Sequence, residues 1–325
     1  MKFIEAEIFT MSVNNKQTPN QVKDFYPSRG GKTAQLIQRQ DPVLYAATAS
    51  NSPIDYKLVK QYEQQGFLVL DDVFTEKEVC CFQQELDSMR HDDRRKASEQ
   101  TITEPGSGDI RSIFNVHQNS AMFKKLASDV RLAGLAQYLL GDEVYIHQSR
   151  VNYKPEFRGK GFYWHSDFET WHVEDGMPRM RALSMSITLT ENYQHNGPLM
   201  MIPDSHKDYA VCEGDAPAEH YKSSLKKQEY GIPSDSSLQQ MVEKGERIVT
   251  ATGKPGSVII FDCNVMHGSN SNITPYPRSN IFFVYNAVSN RVAEPFSTNP
   301  PRPEYICTRK HIQAIAPQTV QFILD

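Results

Sequence analysis

The chain has 325 residues, of which 39% are hydrophobic and 23% are charged, and its formal net charge is −4. This balance is typical of a globular protein and argues against a dedicated nucleic-acid-binding protein. No apolar run approaches the length of a membrane span, and the five cysteines contain no Cys-x-x-Cys motif, so neither a membrane anchor nor a disulfide framework is expected. We therefore expect a cytoplasmic protein with no nucleic-acid or membrane partner.

Helical patterns occupy the first half of the chain, behind a polar N-terminal segment. Residues 1–50 are polar and mixed, and we expect an arm there, ahead of one domain at 51–325. Residues 92–108 are charged and contain Gly and Pro, which is typical of a mobile loop. The predicted helices lie at 55–65 before Gly66, at 75–90 after the capping-box pattern Thr75-x-x-Glu78, and as a pair at 121–140 before Gly141, with a short strand at 67–70.

Strand patterns dominate from residue 143 onwards. Residues 183–190 alternate strictly between apolar and hydroxyl side chains, which is a strong β signal. Further strands are predicted at 143–153, 257–262 and 280–287, and the Pro-rich tail after 295 is predicted to be an irregular strap. The polar stretch 204–247 is predicted to be a lid with two helical pieces. We therefore predict a mainly β protein with flanking helices, built on a jelly-roll core.

One face of the 143–153 strand suits the wall of a cavity. If the strand is regular, that face carries a mixture of apolar and polar side chains, namely Val144, Ile146, Gln148, Arg150 and Asn152.

The motif His-x-Asp occurs three times, beginning at His91, His165 and His206. The first copy lies in a charge-dense helix end and the third in a polar turn, whereas aromatic residues surround the middle copy. On an extended strand, His165 and Asp167 would point to the same face. A distant second histidine would complete a 2-His-1-carboxylate set, which is typical of non-heme iron oxygenases.

His267 and Arg278 extend this interpretation. His267 follows a β-branched run at its polar end, and Arg278 opens the next predicted strand eleven residues later. A buried guanidinium requires an anionic partner and suits a carboxylate. A turn-capping histidine and a surface ion pair are the alternatives for either residue alone. Together with His165 and Asp167, their order and spacing indicate a 2-oxoglutarate oxygenase.

The run Phe162–Pro178 closely resembles the signature of the ectoine hydroxylases, a family in the phytanoyl-CoA dioxygenase-like branch of the Fe(II)/2-oxoglutarate dioxygenases. Residues 197–207 resemble another segment of that branch, although Asp204 stands where glycine is usual. The resemblance implies a double-stranded β-helix and a homodimer. It also implies hydroxylation of ectoine at ring carbon five, with O₂ and 2-oxoglutarate consumed and succinate and CO₂ released, as in compatible-solute synthesis under osmotic stress.

The resemblance also implies roles for individual residues. Fe(II) would be bound by His165, Asp167 and His267. The co-substrate 2-oxoglutarate would contact Arg278, Ser269, Phe162, Asn152 and Lys154, although Lys154 could equally be a snorkelling surface lysine. Substrate contacts would come from Gln148, Trp171, Ser184, Phe261 and Asn280. From the residues alone, Trp171 would be a core tryptophan and Gln148 an exposed strand residue, and His172, Glu174 and Asp175 are interpreted as loop charges.

Four alternatives remain open at this point. A zinc hydrolase or isomerase of the cupin class could use the same three ligands, but it needs no buried anchor for a five-carbon diacid. A halogenase requires an open position where Asp167 stands. A catalytically silent binding module and a related hydroxylase of another small metabolite are the other two.

Overall fold

Two antiparallel β-sheets form the body of the molecule, with most of the helices packed on the outside of the larger sheet. The computed structural model describes residues 23–45, 48–104 and 106–323. Their strands are β1 (Gln35–Gln38), β2 (Phe67–Leu70), β3 (Thr101–Thr103), β4 (Ile110–Phe114), β5 (Val144–Lys154), β6 (Phe162–His165), β7 (Ala182–Thr188), β8 (Leu199–Met201), β9 (Asp208–Val211), β10 (Val249–Ala251), β11 (Val258–Asp262), β12 (His267–Ser269) and β13 (Arg278–Ala287).

The strand order is that of a jelly roll. The large sheet has the order β2-β11-β7-β13-β5-β4-β3, the small sheet has the order β10-β8-β12-β6, and β1 pairs with β9 as a separate ribbon. Side chains from both sheets, among them Met201 and Phe261, meet in one interior cluster. The predicted fold class, a mainly β protein with a double-stranded β-helix core, is therefore confirmed.

The described helices are α1 (Tyr56–Gln65), α2 (Glu76–His91), α3 (Asp93–Lys96), α4 (Val116–Asn119), α5 (Ala121–Ala127), α6 (Leu135–Leu140), α7 (Asp167–Asp175), α8 (Tyr221–Ser224) and α9 (Asp235–Gly245), and a π-helical turn, Val130–Gly134, leads into α6. Helices α1, α2, α4, α5 and α6 enclose the main hydrophobic core together with the outer face of the large sheet. Strand β7 presents Leu183, Met185 and Ile187 to this core and its hydroxyl residues to the interior between the sheets. In the described part of the chain, no helix has the length and apolarity needed to cross a membrane.

The predicted helix ends are confirmed. Gly66 ends α1 with a φ of 84°, and a Cβ there would lie 2.5 Å from the Nδ1 atom of His206, so both the backbone and the packing require glycine. Thr75 and Glu78 form the reciprocal capping box at the start of α2. The prediction of a mobile loop at 92–108 is wrong in part, because the segment contains α3 and β3, and Glu104 is buried.

Strand β5 contains a bulge that the regular alternation did not predict. Gln148 pairs with Val284, but Tyr285 pairs with Ile146, so His147 has no partner in the ladder. Val144 and Ile146 consequently face the helices, whereas His147 and Gln148 both face the interior. The prediction that Val144 and Ile146 share the cavity face is therefore wrong.

The arm and the predicted lid interact with each other. Strand β1 of the arm pairs with β9, so residues 208–211 of the proposed lid form part of a packed ribbon and are largely buried. Two parts of the predicted lid, 213–230 and 235–247, contain most of its exposed residues. Residues 1–22 of the predicted arm, and positions 46–47, lie outside the described residues.

Candidate active site

The interior between the two sheets opens into a cleft lined by residues of both sheets and of α7. Most of the predicted site residues line it, including all three predicted metal ligands. Three basic residues, Arg111, Lys154 and Arg278, line the cleft close to one another, and Arg150 and Arg302 also line it.

The three predicted metal ligands converge from different elements. His165 ends β6 and lies opposite His267, which opens β12. The Nε2 atoms of these histidines lie 3.7 Å and 3.9 Å from the same Oδ1 atom of Asp167. The sequence analysis expected Asp167 to continue the strand, but Asp167 begins α7, with Ser166 as the N-cap. The three side chains therefore converge as predicted, although the extended strand assumed for His165 and Asp167 is not present.

Hydrogen bonds orient both imidazoles toward the common point. The Nδ1 atom of His165 lies 2.8 Å from the Tyr163 carbonyl oxygen, and Nδ1 of His267 lies 3.0 Å from that of Val265. A carbonyl oxygen only accepts, so both Nδ1 atoms carry a proton, and Nε2 is the atom that each ring presents to a metal. Burial and the neighbouring His165 lower the pKa of His267 to about 4, which keeps the ring neutral.

The charge of Asp167 suits the same role. Burial raises the pKa of its carboxyl, but His267, His165 and Arg150 lower it by more, so the pKa lies well below its usual range. One carboxylate and two imidazoles that present their Nε2 atoms are the donor set of a non-heme Fe(II) centre.

The environment of Arg278 fits a carboxylate ligand. Arg278 is buried, its Nη1 donates to the Gly197 carbonyl oxygen over 2.7 Å, and its Nε has no partner. No carboxylate among the described residues pairs with Arg278. Burial and Arg111 lower the pKa of Arg278 to about 10, which reflects a cation that lacks a counter-charge.

Lys154 adds to this excess of positive charge. Its Nζ donates to the Ser269 hydroxyl over 2.9 Å and also to the Asn270 carbonyl oxygen. Burial, followed by repulsion from Arg278 and Arg111, lowers the pKa of Lys154 well below its usual value. Lys154 is therefore no snorkelling surface residue, and the five predicted co-substrate residues all line the cleft (Arg278, Ser269, Phe162, Asn152 and Lys154).

Two of the five predicted substrate contacts, Gln148 and Trp171, line the cleft. Gln148 is buried, donates to the Ile306 carbonyl oxygen over 2.8 Å and accepts from Arg150, so it is not an exposed strand residue. Trp171 lies on α7, is 2% exposed, and packs edge-on to His147 with the ring centroids 5.2 Å apart. Its ring therefore belongs both to the core and to the wall.

The other three, Ser184, Phe261 and Asn280, lie one layer behind the wall. Ser184 donates to Oδ2 of Asp167 over 3.4 Å, and the Phe261 ring packs 5.0 Å from that of His267. Asn280 donates to the Ser186 hydroxyl over 3.1 Å. These contacts support the metal ligands and the sheet. The geometry does not favour direct contact between these three residues and the substrate.

The sequence analysis also missed several charged residues around the cleft. Arg302 comes from the C-terminal strap and is held by both oxygens of Asp175, at 2.8 Å and 2.5 Å. His220, from the proposed lid, also lines the cleft and lies 2.8 Å from Glu174. The interpretation of His172, Glu174 and Asp175 as loop charges is wrong, because all three are buried on α7. No local pattern marked Arg302 or His220.

Comparisons with known proteins agree with this geometry. The family model described as phytanoyl-CoA dioxygenase matches residues 62–280. The chain is 53% identical over 288 residues to the ectoine dioxygenase of Sphingopyxis alaskensis, covering 89% of this chain and 94% of that one. It is 50% identical to the ectoine dioxygenase of Stutzerimonas stutzeri, covering 92% of this chain and 99% of that one.

The chain belongs to the ectoine dioxygenase family.

Solved structures from that family have the same fold. EctD from S. alaskensis with 2-oxoglutarate and 5-hydroxyectoine superposes with a TM-score of 0.83 at 48% identity, covering 91% of this chain and 98% of that one. The form with bound Fe gives a TM-score of 0.81 at 47% identity, with the same coverage. The carbocyclase SnoK, at 17% identity and a TM-score of 0.58, shares only the fold. The predicted enzyme class is confirmed: the protein is an Fe(II)- and 2-oxoglutarate-dependent dioxygenase.

Proposed function

We propose that the protein hydroxylates ectoine to 5-hydroxyectoine, with Fe(II) bound by His165, Asp167 and His267. The observation that carries the proposal is a single cleft that combines these three convergent ligands with a buried, unpaired Arg278. The similarity to ectoine dioxygenases over most of the chain supports ectoine as the substrate. Bound iron, with O₂ and 2-oxoglutarate, supplies the oxidising power for the hydroxylation, and the chain supplies position and shelter from water.

The carboxylate-binding end holds the co-substrate by charge and shape. The distal carboxylate of 2-oxoglutarate would accept from the free Nε of Arg278 and from the Ser269 hydroxyl, beside the ammonium of Lys154. Phe162, whose ring lies 5.0 Å from that of His165, and Asn152 would line the carbon chain. The opposite end of the molecule would then reach the metal ligands.

The remaining charged groups of the cleft suit ectoine, a cyclic amidine that carries a carboxylate. Arg150 donates to Gln148 and has no carboxylate hydrogen-bond partner among the described side chains, so its cation is available to the substrate carboxylate. The amidinium cation would lie against the aromatic wall at Trp171. A negative and a positive group on one small ring would thereby fix which ring carbon faces the metal ligands.

Segment 213–233 would act as the lid of this cleft, within the longer predicted lid at 204–247. Four of its side chains line the cleft, namely His220, Ser224, Leu225 and Gln228. Much of the segment is exposed, including Gly214 and Pro217, as expected of a segment that opens for exchange of substrate and product.

The test has a binding stage and a product stage. Under anaerobic conditions, protein with Fe(II) and 2-oxoglutarate should develop the metal-to-ligand charge-transfer band in the visible region, and a His267→Ala variant should not. With O₂ and ectoine, chromatography and mass spectrometry should find 5-hydroxyectoine and succinate in equal amounts. A charge-transfer band with no hydroxyectoine would leave the metal centre in place and exclude ectoine as the substrate.

The proposal has a cellular part as well. A cytoplasmic homodimer that takes part in the response to osmotic stress was predicted, and this stays a prediction. All five cysteines are free thiols and four of them are buried, which agrees with a reducing compartment. Light scattering of the purified chain would measure the oligomeric state.

A further inference from the structure

An arginine of the N-terminal arm, Arg29, lies buried beneath segment 213–233. Its Nε and Nη2 bond to the two carboxylate oxygens of Glu169, at 3.0 Å and 2.7 Å, and its Nη1 bonds to Glu174 at 2.6 Å. Its backbone adopts a φ of 60°, which is uncommon for a residue other than glycine, and its N–H donates to the Cys212 carbonyl oxygen over 2.8 Å. The fold maintains a strained backbone in order to place this side chain.

The two carboxylates that bind Arg29 belong to the helix that builds the active site. Helix α7 begins with Asp167, a proposed metal ligand, and carries Trp171 between Glu169 and Glu174. Arg29, Glu169 and Glu174 are all nearly inaccessible to solvent. They form a buried cluster on the helix, which we call the α7 platform (Arg29, Glu169 and Glu174).

Segment 213–233 rests on the α7 platform at two points. The Nε2 of His220 lies 2.8 Å from Oε1 of Glu174, the same oxygen that Arg29 contacts. Farther along, Gly231 has a φ of 66°, and a Cβ there would meet Oε2 of Glu169 and would lie 2.6 Å from Nη2 of Arg29. Between these two points, Leu225 lines the active-site cleft.

We propose that Arg29 is a positioning residue that holds segment 213–233 over the active site. Without its guanidinium, the buried carboxylates of Glu169 and Glu174 would face each other and the segment. Only Arg302, 3.8 Å from Glu174, and His220 would remain nearby. Buried carboxylates without sufficient counter-charge draw in water, which would lift the segment at both contact points. The inference rests on the proposed function, because closure matters for an oxidation that must exclude water.

The test compares Arg29→Met with Arg39→Met. Arg39 is a matched control: it belongs to the same arm, is buried, and pairs with Asp262 at 2.8 Å, but it makes no hydrogen bond or ion pair with segment 213–233. Each variant is loaded with Fe(II), and succinate and hydroxyectoine are measured together. Arg29→Met should raise the ratio of succinate to hydroxyectoine by about tenfold, as expected for loss of a charge-assisted contact. Arg39→Met should keep the wild-type ratio, even if its melting temperature falls.

Limited proteolysis supplies a readout independent of turnover. With Fe(II) and 2-oxoglutarate bound, wild type and Arg39→Met should be protected within 213–233, and Arg29→Met should be cleaved there. A wild-type product ratio and wild-type protection in Arg29→Met would overturn the inference, and so would equal uncoupling in Arg39→Met. If the wild type makes no hydroxyectoine, the proposed function fails, and the proteolysis comparison still decides the role of Arg29.

A second variant covers the case in which Arg29→Met does not fold. Gly231→Ala leaves the three charges of the α7 platform intact and places a methyl group on the contact between the segment and the platform. It should fold, and it should raise the ratio of succinate to hydroxyectoine in the same direction. A folded Gly231→Ala protein with normal coupling would overturn the inference.

Discussion

Replacing Arg278 by glutamine should damage co-substrate binding far more than substrate binding. The guanidinium is buried, one of its nitrogens is occupied by the Gly197 carbonyl oxygen, and its free Nε has no protein acceptor. Truncating one partner of a buried, charge-assisted pair costs about 2–5 kcal/mol. Because Lys154 and Arg111 keep the region cationic, we expect the lower part of that range, about 2–3 kcal/mol, or a 30- to 150-fold rise in the dissociation constant.

The same substitution should not destabilise the protein in the absence of co-substrate. Arg278 is then a buried cation with no counter-charge, so removing it should leave the melting temperature unchanged or raise it. Wild type with 2-oxoglutarate at 100 times its dissociation constant gains about 2.7 kcal/mol of stability. The glutamine variant should lose most of that gain at the same concentration.

Anaerobic titration of the charge-transfer band, thermal unfolding with and without 2-oxoglutarate, and the KM for ectoine test this prediction together. The dissociation constant of Arg278→Lys for 2-oxoglutarate should lie between those of wild type and Arg278→Gln, because lysine keeps the charge but lacks the planar guanidinium that can bind a carboxylate with two nitrogens. A variant that weakens 2-oxoglutarate and ectoine equally, or that melts well below wild type without ligand, would show that Arg278 is a structural residue.

Three further predictions concern the metal, the aromatic wall and the pH dependence of stability. His267→Ala should abolish hydroxylation and Fe(II) binding but leave the circular dichroism spectrum unchanged, and retained activity would exclude it as a ligand. Trp171→Ala should lose about 3–5 kcal/mol of stability and also raise succinate relative to hydroxyectoine, because the ring belongs to both core and wall; a folded variant with tight coupling would leave only the core role. Burial lowers the pKa of His206 to about 4, so its neutral form is favoured in the fold, and this residue alone should lower stability by about 1.4 kcal/mol per pH unit as the pH falls from about 6.5 to about 4. Urea titrations of a His206→Asn protein should show a weaker pH dependence than those of an exposed control, His195→Gln.

The sequence predicted the fold class and the three convergent ligands because their signals are local. Capping residues and a strictly alternating strand depend on neighbours a few positions away, and Gly66, Thr75 and strand β7 were predicted correctly for that reason. The ligand histidines lie at strand ends, which the pattern of apolar residues also marks.

The rest of the site depends on distant pairs that no local pattern encodes. Helix α7 has polar residues on every side, which suggests a solvated loop. Arg29 and Arg302 arrive from two other segments and neutralise its carboxylates, and His220 contacts Glu174 from a third. Without those partners in view, buried charges and surface charges have the same sequence signature.

The departure at Asp204 is also explained by backbone geometry. Its φ is 67°, in the left-handed region that glycine adopts at no cost and that aspartate tolerates better than most residues. The substitution of aspartate for the usual glycine is therefore compatible with the same turn, and its carboxylate gains an ion pair with Lys207.

The bulge at His147 makes the length of strand β5 as important as its composition. Before the bulge, the even-numbered side chains of β5 face the helices. After the one extra residue, the even-numbered side chains from Gln148 to Lys154 face the interior. A substitution in this strand changes one chemical group of the wall. Loss of the codon for Ser149 would instead place Gln148 and Arg150 on opposite faces of the strand, so that Arg150, Asn152 and Lys154 could not share the cleft with Gln148. Laboratory evolution of substrate preference in this enzyme should therefore proceed through point changes in β5, and libraries that carry insertions or deletions between Gln148 and Lys154 should yield inactive proteins.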